Sequence, residues 1–355
     1  MSENMRQVVF RVLSALFPLQ WGIKYSRLDK SPGPLEFRIL RSLIRLKNSV
    51  KVEKDPRKPR SLGAISPGEL RLHRRYLAFT VPPLGQPVED EKLRAIRLLW
   101  VAHPKDFPVL THSLESALAH TRNPVATITV VSPEPTQAEG ALRHIIPSRI
   151  SADFRHDNDF VPAEVRSQLD QALPSHGSWA TQQLIKVLAT MEQQSSATLV
   201  IDADTVLLQS KTWLSSGGIQ LLYFRGFHND RCTNFLQHWG FSEIDTMRSF
   251  VTHHMLFQPD ILRQVVTSTF GSLDLERIVE TVTSSVEALG YPEFCLEYEP
   301  YGQFISGQHR DLVAFDKYSN IGLPRPTSPD ALTTTILRLR RQGHFNSVSF
   351  HKPER

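Results

Sequence analysis

Short apolar runs alternate with amphipathic stretches through the middle of the chain, and that alternation predicts the fold class. Ile96–Ala102 (IRLLWVA) reads as a buried strand, Phe107–His120 as a helix, and Val125–Val131 (VATITVV), rich in β-branched residues, as a second strand. Strand, helix and strand in that order predict a parallel pair joined by a crossover. The pattern continues with an amphipathic segment at Ala138–His144, a short strand near His144–Ile146, a helix over Trp179–Met191, and the strand Thr198–Ile201 ending at Asp202. Further on, Gly218–Phe224 reads as a strand, Asp260–Phe270 and Leu275–Leu289 as helices, and Ala331–Arg341 as a late helix. The expectation is an α/β domain over residues 90–325, with a mixed, mostly parallel, Rossmann-type sheet flanked by helices. Residues 326–355 follow as a C-terminal helix and tail.

The first 75 residues differ in character. They hold 17 Lys and Arg against 6 Asp and Glu, a balance of +11, whereas the remaining 280 hold 24 against 30, a balance of −6. Leu35, Ile39, Leu43 and Leu46 recur at helical spacing while Arg38, Arg41 and Arg45 share another face, so this is a basic amphipathic helix. Such a helix attaches to an anionic membrane surface, or packs on the body of the protein with its arginines in water; the pattern fits both. Nucleic acid is not an expected partner, because the basic residues are not interleaved with aromatics and no nucleic-acid module is recognisable. Lys51–Pro67 (KVEKDPRKPRSLGAISP), charged and proline-rich without apolar periodicity, reads as a linker.

At 355 residues, 40% hydrophobic and 22% charged, the chain is long enough to bury a full core. Its longest early apolar run, Val8–Phe17, is interrupted by Arg11 and falls short of the roughly 20 residues a bilayer core requires. Neither a transmembrane helix nor a secretory leader is expected. Cys232 and Cys295 are too few for a disulfide framework or a cysteine zinc site, which points to a reducing compartment, hence a cytoplasmic protein, peripheral on the inner face of the plasma membrane if the basic segment binds lipid. Gly217-Gly218 lacks Walker spacing, and no G-x-G-x-x-G follows a strand and no G-x-S-x-G elbow occurs, which removes the P-loop and dinucleotide readings and weakens a serine-hydrolase one.

The most informative residues are Leu199-Val200-Ile201-Asp202-Ala203-Asp204-Thr205, an apolar strand running into two aspartates separated by one small residue. Ligands of open α/β sheets bind beyond the carboxyl ends of the strands, where these carboxylates would sit. Two hard oxygen donors suit Mn²⁺ or Mg²⁺, an ion held by one or two carboxylates plus substrate phosphates. Its use would be to neutralise a departing nucleoside diphosphate. An Asp-x-Asp by itself also marks turns and helix caps.

Together with Trp179-Ala180-Thr181-Gln182-Gln183-Leu184-Ile185-Lys186 upstream, Gly218–Phe224 downstream and Phe294-Cys295-Leu296-Glu297-Tyr298-Glu299-Pro300-Tyr301-Gly302, the triplet resembles that of GT-A type nucleotide-sugar glycosyltransferases over roughly residues 90–320. In particular it is similar to a poorly characterised bacterial group with a segment of the form aromatic, two residues, Glu-Tyr-Glu, any residue, Tyr-Gly. The phenylalanine-serine usual ahead of Glu-Tyr-Glu is here Phe294-Cys295-Leu296. The resemblance implies that Asp202 and Asp204 touch the metal and the nucleotide sugar, with Asp204 the firmer ligand, and that Gln182, Gln183 and Lys186 line the donor side. A glycan or lipid-linked acceptor, in bacterial cell-surface or secreted glycan synthesis, would suit the basic N-terminal segment.

Glu297 and Glu299 are the candidate proton acceptors of the transfer; two residues apart, they share a face on a strand and lie far apart around a helix axis, and only one is expected to reach the reaction. The bland reading makes both surface acids flanking Tyr298. Tyr301 of the same segment is a candidate substrate contact. Among the histidines, His253 and His254 sit between apolar residues, so in an extended segment one points inward and the other outward. Both are candidates for lining the site, and the candidates for a third metal ligand are His253, His254 and His309, with His344 and His351 harder to place. At the end of the first strand His103 and Lys105 are candidate nucleotide contacts, while Asp106 reads as the cap of the following helix. The rival functions are a metal-dependent phospho- or nucleotidyltransferase using the same acids, and a non-catalytic glycan-assembly adaptor.

Overall fold

The computed structural model describes residues 92–351, apart from 193–196, 227–229, 247, 293 and 327. The basic amphipathic segment and the linker that follows it lie outside the described residues.

The central sheet grows from β1 (Ile96–Val101), flanked by β2 (Val125–Ser132) on one side and β4 (Thr198–Ile201) on the other. Strand β3 (Ser151–His156) adds outside β2 and β8 (His254–Phe257) outside β4, giving the order β3-β2-β1-β4-β8. All neighbours are parallel except β4 and β8. The mostly parallel sheet expected from the alternation is therefore present, with its order reversing between β1 and β4.

Alternation along β1 divides the core. Ile96, Leu98 and Trp100 pack with Ile128, Val130, Leu199 and Ile201 against α1 (Phe107–His120) and α2 (Pro135–Leu142). Leu99, Val131 and Val200 face the other way, into a core shared with α3 (Ala163–Ala172), α4 (Gly177–Met191), α6 (Pro259–Phe270), α7 (Leu275–Leu289) and α8 (Tyr298–Gln308). Helices on both faces are what a parallel sheet requires, since each of its faces is apolar. The buried Arg97 is accommodated by donating to the Ala189 carbonyl at 2.5 Å and to Thr198 Oγ1 at 3.2 Å. That contact fixes the direction of α4, whose end lies beside the start of β4.

Two smaller sheets complete the described fold. One pairs β5 (Thr205–Leu207) with β11 (Ser347–His351), which is flanked by β10 (Asn320–Pro324); the other is β7 (Arg248–Ser249), β6 (Gln220–Gly226) and β9 (Val313–Lys317). The late helix is α9 (Pro329–Gln342), and the residues after it return as β11, antiparallel to β5.

Two expectations need correction, and one open alternative is decided. No strand forms at His144–Ile146, where Arg143–Ile145 is a 3-10 turn; the edge strand is Ser151–His156, too polar to announce itself by apolar alternation. Glu297 and Glu299 flank Tyr298, the first residue of α8, so the helical alternative holds and the two side chains diverge around the axis. Cys232, on α5 (Asp230–His238), is disulfide-bonded to Cys295 with Cα atoms 5.8 Å apart despite a separation of 63 residues. Disulfides persist mainly in oxidising compartments, which runs against the reducing setting expected from the cysteine count. Among the described residues no helix is long and apolar enough to cross a membrane.

Candidate functional site

The apolar run Thr198–Ile201 is buried along its whole length and stops where the chain must turn. The Asp202 carbonyl accepts from the Thr205 amide at 2.9 Å, closing a turn over the Asp-Ala-Asp triplet. Ala203 points into the core, 7% exposed, while the two flanking aspartates remain half-buried at the carboxyl edge of the sheet. This is the edge at which the strand order reverses, between β1 and β4, and such a crevice is the ligand site of open α/β sheets.

Two neighbours supply imidazoles. The Asp202 amide donates to the His253 carbonyl at 2.9 Å, which brings the His253 ring over the turn with Nδ1 2.9 Å from Asp202 Oδ2. The His253 amide in turn donates to the Tyr318 hydroxyl at 3.0 Å. Antiparallel pairing of β5 with β11 carries His351 to the other aspartate, its Nδ1 3.1 Å from Asp204 Oδ2. That hydrogen bond raises the His351 pKa above its ordinary value. The two imidazoles stand 5.5 Å apart between centroids. Asp202, Asp204 and His253 each offer a ligand atom within 4.8 Å of the others, an oxygen-rich set with one nitrogen that fits Mn²⁺ or Mg²⁺.

Lys186 enters from α4. Its Nζ lies 2.5 Å from Asp202 Oδ1, 3.1 Å from Glu297 Oε1 and 3.3 Å from the Tyr298 hydroxyl, which itself donates to Asp202 Oδ1 at 3.0 Å. Burial acts to neutralise each of these groups, and mutual attraction opposes it. Against burial, the Lys186 ammonium and the His253 ring hold Asp202 below the usual carboxylate range, and the two carboxylates hold Lys186 firmly protonated. Burial dominates at Glu297 and lifts its carboxyl above the usual range, with Lys186 opposing. Its second oxygen, Oε2, is buried with no partner among the described residues.

Other sequence candidates are distributed more widely. Glu299 is fully buried behind the cluster: one carboxyl oxygen accepts from the amides of Phe250 (2.7 Å) and Val251 (3.2 Å) and from Ser249 Oγ (3.0 Å), the other from Gln303 Nε2 (2.8 Å). It holds the loop leading to His253 and does not face the turn. Tyr301 is likewise a core residue, its hydroxyl donating to Gln220 Oε1 and accepting from the Gln258 amide, both at 2.8 Å. His254 points inward, 1% exposed among Trp213, Tyr223 and Tyr318. His309 closes the far end of α8 and meets Gln264 at 3.3 Å, so the imidazoles that the fold brings to the aspartates are those of His253 and His351. Gln182 is half-buried on α4, and Gln183 is buried there, accepting from the Leu296 amide at 2.8 Å.

At the end of β1 His103 is exposed, its Nδ1 accepting from the Lys105 amide. Asp106 occupies the cap position of α1 without capping it; its carboxylate pairs with Arg325 at 2.6 Å instead. Arg325 also donates to the Lys105 carbonyl, and its amide donates to the His351 carbonyl at 2.9 Å, which joins the β1 loop to the acidic turn. The contributions of Tyr298 and Arg325 are absent from the sequence reading, which names His351 only as a histidine without a place. For His351 the alternation in Ser347–His351 was the available signal, an apolar-in strand ending on a histidine.

No protein-family model and no curated protein matches this chain. Among solved structures, mouse xyloside xylosyltransferase 1 in its apo form aligns over 72% of this chain and 97% of its own, at 15% identity and a TM-score of 0.38. The mannosyltransferase Ktr4p from S. cerevisiae aligns over 76% of this chain and 83% of its own, at 9% identity and a TM-score of 0.44. Neither score carries a functional argument, which rests on the site itself.

Proposed function

We propose that this protein is a metal-dependent glycosyltransferase, moving a sugar from a nucleoside diphosphate sugar to an acceptor hydroxyl. The observation that carries the reading is the convergence of Asp202, Asp204 and His253 at the carboxyl edge of β4, beside the point where the strand order reverses. Those three residues would hold Mn²⁺ or Mg²⁺, whose charge offsets that of the diphosphate as it leaves. Lys186 keeps Asp202 ionised and oriented. Of the two glutamates, Glu297 is the one beside the cluster, and its unpartnered oxygen is the proposed proton acceptor toward the acceptor hydroxyl. The proposed setting is synthesis of a cell-surface or secreted glycan, which suits the basic segment ahead of residue 75.

The test is a thermal-shift panel of nucleoside diphosphates, their sugars and nucleoside triphosphates, each with and without Mn²⁺ or Mg²⁺, on wild type and Asp204→Ala. Metal-dependent stabilisation by one nucleoside diphosphate sugar, lost in the variant, is the expected result. Stabilisation by triphosphates alone would replace the reading with phosphoryl or nucleotidyl transfer, and no response to any nucleotide would leave a non-catalytic assembly protein.

A further inference from the structure

Trp100, Trp213 and Trp239 are buried, and two of them donate their indole N–H to serine hydroxyls, Trp100 to Ser113 and Trp239 to Ser285. Trp179 is treated differently. At 39% exposed it is the one aromatic among the exposed large hydrophobic residues of the described part. Its ring rests against Phe294 with centroids 5.1 Å apart, and the His176 ring meets it near edge-on at 6.0 Å. The indole is thus braced from within while over a third of the residue stays open to water.

Its position connects it to the reacting centre. Trp179, Gln183 and Lys186 recur at helical spacing along one stripe of α4, and a strap of chain, Phe294–Glu297, follows the same stripe. Phe294 packs on Trp179, the Leu296 amide donates to Gln183, and Glu297 bonds Lys186. Because the end of α4 lies beside the start of β4, and Lys186 reaches Asp202 at the end of that strand, the first turns of α4 run on toward the rim of the site. Seven residues of helix set Trp179 about 10 Å along the axis from Lys186, a span on the order of two sugar rings. The opposite flank is occupied by the β1 loop, tied to Asp204 through Arg325 and His351. The nucleotide, held at the β1–β4 crevice, belongs on that side.

We propose that Trp179 is a stacking platform for the saccharide part of the acceptor, about two sugar units from the hydroxyl that reacts. A pyranose presents a face of C–H groups, and an indole braced by a tilted Phe294 ring at 52° and an edge-on His176 ring still offers an electron-rich surface to match it. The proposal rests on the glycosyltransferase reading for its role, and on the geometry of Trp179 for its place.

Full-length wild type, Trp179→Ala and Trp179→Phe are titrated calorimetrically with xylotriose, mannotriose, cellotriose and maltotriose in the absence of nucleotide. The same three proteins are then taken through the thermal-shift panel of nucleoside diphosphate sugars with Mn²⁺. The expected result is wild-type binding of at least one trisaccharide, weakened about tenfold in Trp179→Ala and less in Trp179→Phe, with the nucleotide-sugar response equal in all three. Three results overturn the proposal: no trisaccharide bound by the wild type, unchanged binding in Trp179→Ala, or loss of the nucleotide-sugar response in that variant, the mark of a donor base stacked there instead. Failure of the transferase reading has its own signature, a wild type deaf to every nucleoside diphosphate sugar. Trp179-dependent trisaccharide binding in that case still supports the platform, as part of a carbohydrate-binding protein.

Discussion

Acid should act on this protein through one histidine more than any other. His254 is enclosed by the rings of Trp213, Tyr223 and Tyr318 at centroid distances of 5.4, 5.3 and 5.5 Å, and neither ring nitrogen has a hydrogen-bond partner among the described residues. Burial therefore depresses its pKa from 6.5 to about 3, with the neighbouring His253 adding to the effect. Between those two values the unfolded chain binds a proton at this site that the folded protein does not, so stability is lost as pH falls through that window. At about pH 4.5 the unfolded histidine is almost wholly protonated and the folded one almost wholly neutral, which amounts to about 3 kcal/mol relative to pH 8. The assay is urea unfolding of wild type and His254→Phe at several pH values between about 4.5 and 8. Other groups titrate in both proteins, so the difference between them isolates this site, and any constant cost of the substitution appears as an offset. The expected outcome is that the variant loses about 3 kcal/mol less than wild type over the range. Parallel pH profiles would refute the reasoning and mean that the imidazole is solvated or partnered in the folded state.

Lys186→Met removes the ammonium shared by Asp202 and Glu297 and leaves one half-buried and one buried carboxyl group without it; the expected cost is about 3–5 kcal/mol in chemical denaturation. Mn²⁺ should recover part of that loss, read as a larger metal-induced rise in melting temperature than in wild type. Glu299→Ala strips the acceptor from the Phe250 and Val251 amides and should cost about 2–4 kcal/mol, with weaker Mn²⁺ binding by calorimetry because the loop to His253 is released. Replacing both Cys232 and Cys295 by serine opens a 63-residue loop, for which chain entropy gives a loss of about 4 kcal/mol, measured under non-reducing conditions against wild type.

How far the sequence reached depended on whether a residue's role was local. The strands and helices around β1, β2, α4 and β4 follow from apolar periodicity, because each buries a face that its own pattern defines. The Asp-Ala-Asp turn was legible for the same reason, being one continuous run from strand to turn. Partners contributed from elsewhere were not: His351 meets Asp204 across 147 residues, and Tyr298 meets Asp202 across 96. The adjacent pair His253-His254 shows the boundary well. Extended backbone required the two rings to part, but which one joins the aspartates is decided by the pairing of β8 with β4, a long-range choice. Asp106 was misassigned because residue chemistry favours capping, whereas Arg325, some 219 positions away, offers it a full charge.

The strap Phe294–Glu297 is anchored at every residue: a ring contact at Phe294, a disulfide at Cys295, an amide hydrogen bond at Leu296 and an ion pair at Glu297. A loop restrained in that way has almost no conformational freedom left to lose when a ligand arrives. The entropy of ordering it is met during folding, so binding energy is not drained into arranging Glu297. Amide hydrogen exchange at Leu296 should accordingly be as slow as in the core strands, both before and after ligand is added. On that view the rim of this site is part of the scaffold, and any closure over a substrate has to come from elsewhere in the chain.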